Sequence, residues 1–440
     1  MANVLILFII LPLLAALLSL PLRRGRDWLF TATAAGLFAL ALYCYQIRPF
    51  NNLIVFKFNN MSFLVLDGLS HFFLLGLALA ALIYACYSFG ESKAKPVALS
   101  LLASLSGAVL AGEMLSLLFF SLIALFGIGH FCQKDGQQIG LGEKASLGLA
   151  GLFLSVGLLS IMLFSRSTLL PMAIGNYPLA VKVLVIAGFA LRAGVVPFHR
   201  WLVSAGSPLI YAMVNSVGLY GLLRFSYNIF GLDSRILLFM TALGLLSLLY
   251  AGLIALARKN IAYNNIAQTG LVLTAAGLAT PLGIMAALFH AFNLIMIKPL
   301  LVYADEAADK ARGALVFTAL LAGWLANAAI PPFNGFWSTH YLVLATVQKG
   351  NWPVAALLIA GALLILVFSI KTLKEKCFSG ERGEGAKVSW PKGAALVISV
   401  VLCFLVGIFS SNVIMQVVNP AVIALDNGTG YAKMVFGGMQ

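Results

Sequence analysis

The chain has 440 residues, of which 62% are hydrophobic and 10% charged, and a mean hydropathy of +1.01. About a quarter of the residues of an ordinary soluble domain are charged, so this composition excludes a water-soluble globular protein. The formal net charge of +14 would suggest nucleic acid in a soluble chain. Here the basic residues sit in loops between apolar runs, which excludes that partner and points to orientation in a lipid bilayer.

A transmembrane helix needs roughly 20 apolar residues. Such runs predict about fourteen spans, near residues 3–22, 28–46, 62–88, 97–111, 114–132, 146–165, 180–203, 207–230, 236–257, 261–279, 281–303, 315–347, 353–372 and 393–412. The first lacks a basic leader and is followed by Arg23, Arg24 and Arg26, so it reads as a retained span and not a cleaved signal peptide. If alternate loops face the cytoplasm, starting with that arginine loop, the larger share of the 28 Lys and Arg falls on the cytoplasmic side. Both termini are then expected outside. The five cysteines, Cys44, Cys86, Cys132, Cys377 and Cys403, form no CxxC pair and neighbour no histidine cluster, so no zinc or iron–sulfur ligand set is expected. No GxGxxG after a strand, P-loop or CxxCH occurs either. No cofactor is expected, and any redox catalysis would belong to partner subunits.

Two segments interrupt the helical pattern in a related way. Val196-Pro197-Phe198-His199-Arg200-Trp201 lies in the seventh span, and Pro331-Pro332-Phe333-Asn334-Gly335-Phe336-Trp337 in the twelfth. Proline removes a backbone bond and Gly335 loosens the chain, so both spans are predicted to be discontinuous. The segments lie an odd number of spans apart, which gives their surroundings opposite topology. That is the pattern of an inverted repeat, with an ion path at the broken helices; two unrelated proline kinks are the alternative. The expected organisation is an N-terminal three-span segment (1–96), a first five-helix repeat (97–230), a second (235–372), and a final part with a cytoplasmic loop, the last span and a tail (373–440).

A charge at the bilayer centre costs about 2.5–3.5 kcal/mol even on the lenient insertion scale, so an ionisable residue there is a candidate functional group. Arg192 and Lys298 are read as the two basic residues inside spans, with His199, His290, Asn293 and His340 nearby. No acidic residue is expected mid-span; Asp67 and Glu113 are placed near span ends. Arg192 can hold a charge but cannot release a proton, whereas a buried lysine such as Lys298 can carry one. For each histidine the competing reading is a hydrogen-bonded core or span-end residue.

At these residues the sequence resembles the antiporter-like membrane subunits shared by respiratory complex I, the Mrp sodium/proton antiporters, and the membrane-bound hydrogenases and formate hydrogenlyases. Phe189-Ala190-Leu191-Arg192-Ala193-Gly194-Val195-Val196-Pro197-Phe198-His199, followed by Trp201-Leu202, is similar to the family's lysine-containing seventh helix. Gly218-Leu219-Tyr220-Gly221-Leu222-Leu223-Arg224 resembles its eighth helix. Ala262-Tyr263-Asn264-Asn265-Ile266-Ala267-Gln268-Thr269-Gly270 resembles its AYSSISQxG segment. Ala287-Leu288-Phe289-His290, through Asn293 to Lys298-Pro299-Leu300-Leu301, is similar to its FHxxNHxxxKxLLF helix. Pro331 to Trp337 resembles the second broken helix, and Leu66-Asp67-Gly68-Leu69-Ser70 the entry to the third span.

The resemblance implies an all-α polytopic membrane fold of fourteen core helices with two inverted five-helix units. It also implies other membrane subunits and a peripheral redox arm as partners, in a bacterial or archaeal cytoplasmic membrane. The departures matter as much. Leu122 aligns with the family's fifth-helix glutamate, Arg192 replaces the seventh-helix lysine, and Ser216 stands where the eighth-helix lysine is expected. Leu294 replaces a histidine, and Thr339, with His340 beside it, replaces a charged residue in the second broken helix. The loop after Trp201 is shorter than the family's. The family's long lateral helix is not expected, since the chain ends about 28 residues after the last predicted span.

Three functions follow as expectations. The first is an antiporter-like subunit with a degenerate or partial proton channel, the Glu–Lys pair of the first half being lost. The second is a fully active proton- or sodium-translocating subunit. The third is an independent carrier of a small anion, with Arg192 beside a broken helix as its site. The polar loop 371–392 is a candidate contact for a peripheral partner, or simply a solvated basic loop.

Overall fold

In the computed structural model the described residues are 4–22, 25–47, 54–58, 61–90, 94–137, 139–311, 313–378 and 388–426. Arg23, Arg24 and the centre of the 371–392 loop lie outside them. The helices are α1 (Val4–Ser19), α2 (Arg26–Ile47), α3 (Gly68–Tyr87), α4 (Lys95–Leu110), α5 (Met114–Lys134), α6 (Leu141–Ser165), α7 (Leu179–Ala193), α8 (Arg200–Ala205) and α9 (Asn215–Leu223). They continue with α10 (Ser234–Arg258), α11 (Ile261–Gly277), α12 (Pro281–Lys310), α13 (Ala314–Asn327), α14 (Asn334–Gln348), α15 (Trp352–Phe378), α16 (Trp390–Ile408), α17 (Ser410–Val413) and α18 (Asn419–Asp426). Wider π-turns flank α9, at Ile210–Val214 and Arg224–Ile229.

Eight of these helices are long and apolar enough to cross a membrane by length and composition, and α1, α4 and α13 are shorter apolar helices. Burial separates centre from rim. The most apolar stretches of α3 and α12 are 89% and 94% buried, while that of α2 is 28% buried. α12 packs on α3, α11, α13, α14 and α16 and forms the axis of the bundle. Rim helices carry bare leucines and phenylalanines outward, among them Leu17, Phe119, Phe126, Leu163 and Phe404. So large an apolar surface is stable against lipid and not against water, and the helices meet the bilayer's demand that backbone groups be satisfied internally.

Three boundaries differ from the sequence expectation. The third span, expected from residue 62, begins at Gly68, because Ile54–Phe58 and Met61–Leu66 form an antiparallel hairpin with a bulge between Phe56 and Lys57. Asp67 caps α3, its Oδ1 accepting the Ser70 N–H at 2.8 Å. α12 continues past residue 303 to Lys310, so Asp305, Glu306 and Asp309 ride on its last turns. They meet Lys376 of α15 (2.8 Å to Asp305) and Tyr87 of α3 (3.0 Å to Glu306). The stretch expected as a tail is helical from Ser410 to Asp426, and α18 packs on α3.

The two predicted breaks are present. α7 stops at Gly194, whose φ of +67° suits a residue without a Cβ, and α8 starts at Arg200. α13 stops at Ala328, Ala329 takes a φ of +57°, and α14 starts at Asn334. One constant shift along the chain carries three backbone bonds of the first break onto the second. Gly194 N–H to Leu191 O matches Ala329 N–H to Ala326 O, both 3.2 Å; Val195 N–H to Ala190 O (3.3 Å) matches Ile330 N–H to Leu325 O (3.0 Å). Phe198 N–H to Val195 O (2.7 Å) likewise matches Phe333 N–H to Ile330 O (3.2 Å). Both breaks contain a cis peptide before proline, at Pro197 and Pro332. The same shift carries Arg192 onto Asn327 and His199 onto Asn334.

Candidate functional site

At the first break, Arg192 lies in the last turn of α7 and is fully buried. Its Nε, Nη1 and Nη2 find no hydrogen-bond partner among the described residues. The carbonyls nearest the break are committed elsewhere, since Leu191 O accepts from both Gly194 and the Trp201 indole N–H, the latter at 2.7 Å. His199 precedes α8 as its N-cap and is buried, its ring 5.7 Å from Tyr250 and 5.6 Å from Tyr263. Ser216 donates back to Ala212 O within its own helical run, so it is not turned toward a partner across the bundle.

Leu122 is not brought to Arg192. It is 40% exposed and lines a 710 Å³ groove between α5 and α6 with Phe126, His130, Lys144 and Gly151. A carboxylate there would open to the outer groove. The neighbouring position, Ser121, is the one buried in the bundle, and its hydroxyl has no partner among the described residues.

At the second break the structure brings polar groups into one continuous line. His290 of α12 meets Ser338 of α14 through Nδ1 (2.9 Å) and Gln268 of α11 through Nε2 (2.8 Å). Gln268 donates to the side chain of Asn327 (3.0 Å) and to its main-chain carbonyl (3.3 Å). Asn327 also exchanges bonds with Asn264 (3.0 and 3.3 Å) and donates to Ser369 of α15 (2.7 Å). On the other side, Asn293 donates to the Asn334 carbonyl (3.0 Å) and accepts from its side chain (3.2 Å). Buried polar groups are costly unless paired, and here pairing is nearly complete. Lys298, 2% exposed, donates to Thr269 Oγ1 at 3.2 Å. His340 is not part of this line. It is exposed on α14, its ring stacked on Phe336 at 6.0 Å.

Sequence reading missed Asn264, Gln268, Asn327, Ser338 and Ser369 as members of the site. Two signals were available: Asn264 and Gln268 are four residues apart on one helix face, and Asn327 is Arg192 moved by the spacing of the breaks. It also undercounted buried cations. Lys95, Lys182 and Arg224 are buried as well as Arg192 and Lys298. Each of the three has a carboxylate: Lys95 pairs with Asp27, Lys182 with Asp233 (2.6 Å), and Arg224 with the buried Asp67 (2.6 Å). Arg224 also donates to Ser70 and Asn228. The arginine that aligns with a lysine in the resemblance has neither a carboxylate nor a hydrogen-bond partner among the described residues.

Comparison with known proteins gives a family match over residues 103–365, to the transmembrane domain described as NADH:quinone oxidoreductase/Mrp antiporter. An uncharacterized protein of Methanocaldococcus jannaschii is 30% identical over 318 residues, 62% of this chain and 65% of that protein, so just under two thirds of that relative's length is matched. NADH-quinone oxidoreductase subunit N of Moorella thermoacetica is 25% identical over 91% of this chain and 92% of its own. The fold is that of a chain in the Mrp complex of Dietzia sp. DQ12-45-1b, with a TM-score of 0.88, 20% identity and 99% of each chain covered.

Proposed function

Since the chain belongs to the NADH:quinone oxidoreductase/Mrp antiporter membrane family, we propose that it is an antiporter-like subunit of a complex I-related or Mrp-type assembly whose ion path survives only in its second half. The observation that carries this reading is the contrast between the breaks. The first holds a fully buried guanidinium without a described partner, and the second holds a hydrogen-bonded line around His290, with Lys298 two turns along the same helix. A guanidinium keeps its proton at every accessible pH, so Arg192 acts as a fixed positive charge that repels cations and relays nothing. Lys298 and His290 are groups that can change protonation state.

In this reading the chain crosses the bilayer fourteen times with both termini outside, in a bacterial or archaeal cytoplasmic membrane. Residues 97–230 and 235–372 form inverted five-helix repeats behind the three-span segment 1–96 and before the final part 373–440; the bond-by-bond match of the breaks supports the pairing. Its partners are other membrane subunits and a peripheral redox arm. Arg192, His199 and Ser216 are relics of the closed half, and His290, Asn293 and Lys298 belong to the open one. His340, facing outward, is read as a boundary residue of the same helix.

The test is proton and sodium flux across liposomes carrying the purified assembly. Lys298→Ala is expected to lower coupled flux by about tenfold or more, the scale on which one positioned proton carrier acts, with assembly intact. Arg192→Ala is expected to leave flux unchanged. Full flux in Lys298→Ala would reduce the chain to a scaffold, and loss of flux in Arg192→Ala would restore a role to the first half.

A further inference from the structure

The line beside the second break has a direction that can be read without seeing a hydrogen. A backbone carbonyl accepts and never donates. Gln268 has one amide atom 3.3 Å from the Asn327 main-chain carbonyl, so that atom is the nitrogen, and the atom facing His290 is the oxygen. The far end is fixed in the same way, because the Ser369 hydroxyl donates to Ile365 O at 2.7 Å and must accept from Asn327 Nδ2. The Gln268 oxygen offers only lone pairs, so its partner at 2.8 Å, His290 Nε2, carries a hydrogen. In the neutral ring Nδ1 then holds the lone pair and accepts from Ser338 at 2.9 Å.

We infer that Gln268 is a positioning residue that holds His290 in its Nε2–H tautomer, confining proton exchange to Nδ1 on the Ser338 side and closing the amide line from Gln268 through Asn327 to Ser369. An amide oxygen is too weakly basic to keep a proton, so what Nδ1 receives must leave again through Nδ1. When Nδ1 is protonated it donates to Ser338, whose own hydrogen turns to the Gly335 carbonyl at 3.2 Å or the Asn334 carbonyl at 3.4 Å. Both belong to the first turn of α14, directly after the break. The groups meeting the ring and its amide line from α11, α13 and α15 are neutral: Asn264, Gln268, Asn327 and Ser369. The charged neighbour is Lys298 on the same helix, and His340 of α14 faces outward.

This inference rests on reading His290 as part of the ion path and narrows where that path runs. Ring-15N-labelled histidine in the full assembly, reconstituted in bilayers and observed by solid-state NMR at pH 7, tests it directly. The His290 signals, identified by their loss in His290→Gln, are expected to show one protonated nitrogen, Nε2, and one bare nitrogen, Nδ1. Gln268→Met, which removes the fixed acceptor, is expected to give a mixture of tautomers, and Gln268→Glu a doubly protonated ring. An Nδ1–H tautomer or a doubly protonated ring in the native protein would overturn the inference, as would an unchanged tautomer in Gln268→Met. Flux measured on the same sample separates the two readings: absent flux with an Nε2–H ring removes the path and leaves the tautomer standing.

Discussion

Five lysines and arginines are buried among the described residues, and their partners sort them by role. Arg224 and Asp67 form a closed pair, 1% and 4% exposed, joining the wide turn after α9 to the start of α3. Removing one member of such a pair strands the other charge, at a cost of about 3–5 kcal/mol. Arg224→Leu is therefore expected to lower the thermal stability of the purified protein sharply, and Asp67→Asn added to it to recover most of the loss. Asparagine keeps the cap on α3, which isolates the charge term. Equal destabilisation in the single and double variants would deny the pair that role. Lys298 and His290 were legible as candidates from the sequence because ionisable residues inside an apolar run are rare and expensive. Arg224 was not, since a basic residue near the end of a run reads as a loop charge until the fold turns it inward toward Asp67. The outward direction of Leu122 was not legible, because no pattern in α5 says which side faces the groove.

The broken helices are the elements on which the site depends, and their geometry requires close backbone contact. A Cβ on Gly335 would sit 1.8 Å from Ala326 O, and one on Gly407 of α16 would sit 2.0 Å from Pro332 O. Gly335→Ala and Gly407→Ala should each force the break apart and cost about 1–3 kcal/mol or more, as overpacking does. Gly148→Ala on the outer groove, where nothing lies within 4 Å, should change stability by less than about 0.5 kcal/mol. Thermal unfolding of the three variants in one detergent compares them; a neutral Gly407→Ala would mean that α16 does not clamp the break. The positions of both breaks were readable from proline and glycine alone. The hairpin ahead of α3 was not, because a short apolar run that alternates weakly is indistinguishable from the start of a span. The helical stretch from Ser410 to Asp426 was missed because its hydrophobic contact is with α3, far away in sequence.

At the scale of the whole molecule, the first turn of α7 is tied to the cap of α10 by Lys182 and by Asp233, which precedes the apolar run of α10. The Arg235 guanidinium, and then the Lys182 ammonium, hold the Asp233 carboxyl well below the usual carboxylate range. The sign follows from proton linkage. A carboxylate more acidic in the native state stabilises it fully above the unfolded value of about 3.9, and that stability is lost as pH falls toward the native value. Melting temperature measured from pH 6 downward should decline in the native protein and decline less steeply in Asp233→Asn. Identical slopes would show that the tie between α7 and α10 does not contribute to folding.

α12, the axial helix, has 30 residues, a length of about 45 Å, against a hydrocarbon core of about 30 Å. An ordinary tilt of about 20° shortens its projection only to about 42 Å. The surplus is its last few turns, where Asp305, Glu306 and Asp309 sit. This end works as a depth gauge. The acids are latched to Lys376 and Tyr87, and carboxylates favour the headgroup layer over hydrocarbon, so a thicker bilayer would raise the cost of this end. A collar of carboxylates at that end resists sinking into hydrocarbon, and His290 and Lys298 ride on the same helix.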